Sequence, residues 1–124
     1  MLTIVHASDL QCGRPFLPHA ADAFVRFAHE LRRDVIVVAG DLTQRAKVSQ
    51  FRTAKALLEL LPAVPVIVTP GNHDVPVYRV WERALAPYRN WLAVVSPELD
   101  SSVRRPGVTF VALNSSAPWT AIVN

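Results

Sequence analysis

Asp34-Val35-Ile36-Val37-Val38-Ala39-Gly40-Asp41 is the stretch that decides the fold. Every position from Val35 to Ala39 is apolar, without the alternation of a strand that has one wet face. Both faces of such a segment need cover, which is how a strand in a parallel sheet flanked by other layers is written. Gly40-Asp41 then ends the run in a turn.

On either side the period changes to a helical one. Ala20, Phe24, Phe27, Ala28 and Leu31 recur at three-and-four spacing before the run, and Val48, Phe51, Ala54, Leu58 and Leu61 after it. Pro62 stops the second helix, and residues 64–68 form a further buried strand. Residues 2–8, rich in β-branched side chains, make the first strand. The order is βαβαβ, and right-handed crossovers make the strands parallel neighbours whose carboxyl ends share one edge. His6, inside the first strand, is expected to be a hydrogen-bonded core residue, and His29 a surface or boundary one. Downstream, Val77, Trp81, Ala84, Leu85 and Tyr88 predict one irregular helix over residues 76–86, ended by Pro87. Residues 94–95, 101–103 and 108–113 are short strand candidates of an antiparallel region.

The chain has 124 residues, 51% of them apolar and 19% charged, a composition for one globular domain or part of one. Its single cysteine, Cys12, cannot form an internal disulfide, and the start Met1-Leu2-Thr3-Ile4 has no cationic leader, so a cytoplasmic protein is expected. No apolar run approaches the ~20 residues that span a bilayer, which argues against a membrane partner. The formal charge of +3 and pI near 9.6 fit an anionic substrate or nucleic acid. Only Arg32-Arg33 and Arg104-Arg105 are adjacent basic pairs, a scatter that reads as solvated surface and favours a small substrate over nucleic acid.

The shared edge receives Ser8-Asp9-Leu10-Gln11, Gly40-Asp41-Leu42-Thr43 and Gly71-Asn72-His73-Asp74. Pro70-Gly71 turns the chain out of the sheet and presents an amide, an imidazole and a carboxylate in succession. Each block alone is commonly a turn with a helix cap. Together they gather carboxylates that repel one another unless cations hold them. Oxygen and nitrogen donors of this mixture suit manganese, iron or zinc.

These blocks resemble those of the calcineurin-like metallophosphoesterases, whose pattern is D-x-H, G-D, G-N-H-D/E, then a later His and G-H-x-H. Gly40-Asp41-Leu42-Thr43-Gln44 and Pro70-Gly71-Asn72-His73-Asp74-Val75-Pro76 look most like the bacterial branch related to class III cyclic nucleotide phosphodiesterases. The resemblance implies the amino-terminal half of a four-layer α/β/β/α sandwich, with residues 1–124 a partial domain lacking its carboxyl half. It implies two divalent metal ions and hydrolysis of a small phosphomonoester or phosphodiester, such as a cyclic nucleotide, by hydroxide generated on the metals. Asp9 and Gln11 would bind the first metal, Asp41 would bridge, and Asn72 would bind the second while approaching the phosphate. His73 would protonate the leaving oxygen with Asp74 orienting its imidazole, and Arg14 and Arg45 would reach the substrate phosphate.

Two departures qualify the activity. Gln11 stands where the pattern has histidine, and no histidine follows His73, so the later imidazole ligands are missing. Impaired hydrolysis in this chain, with an oligomer or a missing half covering the sheet, is therefore expected. The competing readings are a non-catalytic scaffold or binding module of the same fold, and a DNA nuclease.

Overall fold

The computed structural model describes residues 1–119. Three parallel strands, β1 (Ile4–Ser8), β2 (Val35–Ala39) and β3 (Val66–Thr69), lie side by side in sequence order. β2 is central, pairing Val5↔Ile36 with β1 and Val37↔Ile67 with β3, so its unbroken apolar run meets apolar neighbours on both sides. The crossovers carry α1 (Pro18–Glu30) and α2 (Val48–Glu59). Pro18 opens α1, where its missing N–H costs nothing.

β2 divides the core between its two faces. On the helical side Ile36 and Val38 pack with Ala28, Phe51, Ala54 and Trp91. On the other side Val35 and Val37 meet Ile67 and an antiparallel hairpin, β4 (Ser101–Arg105) with β5 (Val108–Ala112), through Val103, Phe110 and Ala112. The hairpin is the antiparallel region expected from the sequence, and its contacts fall on β2 and β3.

Several expectations need correction. His6 is exposed, because β1 is an edge strand whose Ile4, His6 and Ser8 side faces away from the covered core. Residues 94–95 are not a strand. The segment 76–95 forms two short helices, α3 (Val80–Leu85) and α4 (Arg89–Val94), with Pro87 between them. The apolar spacing of α3 does not mark a core face either, since Trp81 and Leu85 are both exposed. It is Trp91 on α4 that is buried, edge-on to Phe51 with ring centroids 6.1 Å apart. His29 is exposed, as expected, and its Nε2 donates to the Leu60 carbonyl at 2.8 Å, tying α1 to the end of α2.

Candidate active site

The loops after β1 and β2 continue the parallel pairing past the strands. Gln11 N donates to Asp41 O at 2.9 Å, Cys12 N to Leu42 O at 2.9 Å, and Gln44 N to Cys12 O at 3.1 Å. This extended ladder forces unusual backbone on the residues between: Asp9, Gln11 and Asp41 have φ of 57°, 45° and 50°. Left-handed backbone is costly for residues with a Cβ and collects where a structure must aim a side chain. Gly40, at φ 69°, takes the same conformation without that cost.

The third loop is locked against the second by Asp74. Its carboxylate is 1% exposed and accepts from Leu42 N, Thr43 N, Thr43 Oγ1 and Gly71 N at 2.9–3.0 Å. Burial holds the Asp74 carboxyl above its usual range, against the opposing pull of these donors. Asp41 Oδ1 accepts the His73 backbone N–H at 2.9 Å. Gly71 has no side chain because a Cβ there would collide with Asp41 Oδ1 and the Asp41 backbone N.

Asp9, Asp41 and Asn72 line one cleft of about 420 Å³ at the carboxyl-terminal edge of the sheet, walled also by Ser115 and Ser116. Tyr88 pins that wall by donating to the Ser116 carbonyl at 2.5 Å. Gln11 lines a neighbouring, largely apolar cavity that shares Asp9 with the cleft. Arg14 and Arg45 line neither; they face a separate cleft at the start of α2.

The expected pairing of Asp74 with His73 is corrected. The Asp74 oxygens are occupied by loop donors, whereas His73 Nδ1 lies 3.1 Å from the Gln44 carbonyl. A carbonyl only accepts, so Nδ1 carries hydrogen and Nε2 is the free nitrogen. A proton given from Nε2 therefore requires the imidazolium form. Thr43 and Gln44 organise this loop, a role that their place in the second motif block does not signal. Cys12 is fully buried, and its thiol is pushed up to about 11 by burial and by the charge of Asp74, which keeps it protonated at neutral pH.

Among the described residues no cationic side chain lines the Asp9–Asp41–Asn72 cleft, and two carboxylates with an amide oxygen there fit a divalent cation bound through oxygen. Among the described residues no three His, Cys, Asp or Glu side chains gather as a metal cluster. Gln11, in the adjoining cavity, is the remaining candidate donor on the Asp9 side.

Carboxylates presented at the carboxyl ends of parallel strands, above a hairpin layer, define an α/β protein with an oxygen-donor site at its sheet edge. The sequence matches the calcineurin-like phosphoesterase family over residues 2–117, and the chain belongs to that family. No curated protein matches the chain. No described helix is long and apolar enough to cross a membrane.

Proposed function

We propose that this chain carries the phosphoester-hydrolysing site of a metal-dependent phosphoesterase acting on a small phosphodiester. The observation that carries the reading is the meeting of Asp9, Asp41 and Asn72 in one cleft with no cationic side chain among the described residues that line it. Asp9 and Asp41 would hold a divalent cation, and Asn72 would join it while offering its amide to a phosphoryl oxygen. A cation bound there supplies charge neutralisation and acidifies a water at neutral pH. His73, next to Asn72 in the chain but outside the lining of that cleft, is fixed through Nδ1 by Gln44, and only as the imidazolium would it supply a proton from Nε2 to the leaving oxygen. Asp74 acts one step back, holding the two loops in register. A cyclic nucleotide as substrate rests on the wording of the second and third motif blocks. A two-metal site, with manganese, iron or zinc, needs donors beyond Asp9, Gln11, Asp41 and Asn72.

The test is hydrolysis of a chromogenic phosphodiester with added Mn²⁺ by the wild-type chain and by Asp41→Asn. Asn keeps an oxygen for the His73 N–H, so the variant stays folded while losing the charge. Expected is a metal-dependent rate in the wild type that falls at least about 100-fold in the variant. Equal rates in both would remove the site. A second reading, a scaffold of the same fold, is favoured by the lack of an imidazole among the described residues lining the cleft; metal binding without hydrolysis of phosphodiesters or cyclic nucleotides would establish it.

A further inference from the structure

Gly13 brings the first loop hard against the start of α2: a Cβ there would lie 2.6 Å from Gln50 Nε2 and 2.7 Å from Gln44 Cβ. The close approach places Arg14 beside Arg45 and Lys47 around a cleft of about 510 Å³ that also receives Ser49 and has no carboxylate in its lining. All three cations are exposed. The ion pairs among the described residues are Arg79–Glu82 and Arg89–Glu82, so none of the three is neutralised by an acid.

The helix start makes this arrangement more unfavourable still. Lys47 occupies the N-cap position, no side chain caps the amides of α2, and its first turn has no acid. An N-cap normally supplies an acceptor, and lysine has none. The partial positive charge of the helix end therefore adds to three side-chain cations, with no carboxylate among the described residues that line the cleft. The Arg45 guanidinium lies over the Tyr78 ring, 5.3 Å from its centre. Gln44, which lines the cleft, carries an Oε1 shielded from solvent and without a hydrogen-bond partner. That atom is closed to a ligand in the cleft, whose phosphate oxygens would instead accept from the arginines and from the uncapped backbone N–H groups of α2.

From these features we propose that the cleft between the Gly13-Arg14 loop and the start of α2 is a phosphate-binding subsite, distinct from the Asp9–Asp41–Asn72 cleft. Gln44 is the wall between it and the proposed proton donor, since its carbonyl holds His73 Nδ1. The phosphate belongs either to a second group on the molecule whose ester lies at His73 or to a separate anion.

The experiment titrates inorganic phosphate into the ¹⁵N-labelled chain with chelator present, so that binding is read without metal or turnover. Saturable shifts of the Ser49 and Gln50 amides are expected. Arg14→Gln/Arg45→Gln should weaken phosphate binding at least about ten-fold, whereas Arg26→Gln, an exposed arginine on α1, should change it less than about two-fold. Lys47→Gln serves as an independent variant that leaves the Arg45–Tyr78 stack intact, and it should weaken binding by about three-fold or more. Shifts that do not saturate, or equal binding by wild type and all variants, would overturn the subsite. In metal-loaded protein, a chromogenic diester bearing a further terminal phosphate is then compared with the same diester lacking it. A preference for the former that the double variant abolishes assigns the subsite to the substrate, and no preference with phosphate binding retained assigns it to a separate anion. Hydrolysis by neither form would sink the phosphoesterase reading and leave the metal-free titration to decide the subsite.

Discussion

Asp41 and Asp74 sit on facing loops and do opposite work. Asp74 is buried with each acceptor direction used, whereas Asp41 spends one oxygen on the His73 N–H and opens onto the cleft. Asp74→Asn puts an NH₂ against backbone donors, and an unsatisfied buried donor costs about 1–3 kcal/mol. Urea denaturation should therefore show Asp74→Asn less stable by roughly 2–4 kcal/mol, with Asp41→Asn within about 1 kcal/mol of wild type. Comparable losses from both would mean that the two carboxylates share the structural task. Gly71→Ala is a third case, because its added methyl meets Asp41 itself. It should cost about 1–3 kcal/mol and also weaken cation binding, by pushing the Asp41 carboxylate aside. A Gly71→Ala protein with unchanged stability and unchanged Mn²⁺ affinity would show that the loops yield easily.

At the scale of elements, α2 and α4 are joined through Phe51 and Trp91. Trp91 is fully buried, and its Nε1 donates to the Glu98 carbonyl at 3.3 Å. Trp91→Ala should cost about 3–5 kcal/mol, and Trp91→Phe, which keeps an edge for Phe51, appreciably less; equal losses would place the cost in the indole hydrogen bond instead. This helix also marks where the sequence stops being legible. β2, α1 and α2 could be read from local pattern because each repeats its period long enough to choose a face. After Pro76 the pieces are as short as Val80–Leu85 and Arg89–Val94, too short for a period to declare itself. Val94 and Val95 look like a strand by composition, yet the contact of Trp91 with Phe51 draws them into the end of a helix. The site divides the same way. Parallel order was enough to bring Asp9, Asp41 and Asn72 to one edge, while the Gln44 carbonyl behind His73 and the position of Arg14 depend on loop paths that no spacing encodes.

For the whole molecule, the decisive balance is between loops that converge and a donor set that stays small. Among the described residues neither outer edge of the sheet, β1 or β3, pairs with a further strand, and Ile4 on β1 is 46% exposed while β5 leaves Val111 65% exposed. Such edges and apolar positions invite association, so the oligomeric state must be known before any ligand effect on stability is read. A divalent cation in the Asp9–Asp41–Asn72 cleft links the ends of all three parallel strands, and binding to the folded state alone must stabilise it. With free metal at ten times Kd the gain is about 1.4 kcal/mol, or a rise in Tm of roughly 4–7 °C for a chain of this size. Thermal unfolding with increasing Mn²⁺ should show that rise in wild type and lose it in Asp41→Asn, with no more than one tightly held ion per chain by direct metal analysis. Among the described residues no imidazole lines this cleft, and two closely spaced divalent ions need more charge and more donors than two carboxylates and an amide provide. Two tightly held ions per chain would mean that Gln11 and backbone oxygens make up the difference. A Tm indifferent to Mn²⁺ in the wild type would mean that the carboxylates at the sheet edge do not act as a cation site in these 124 residues.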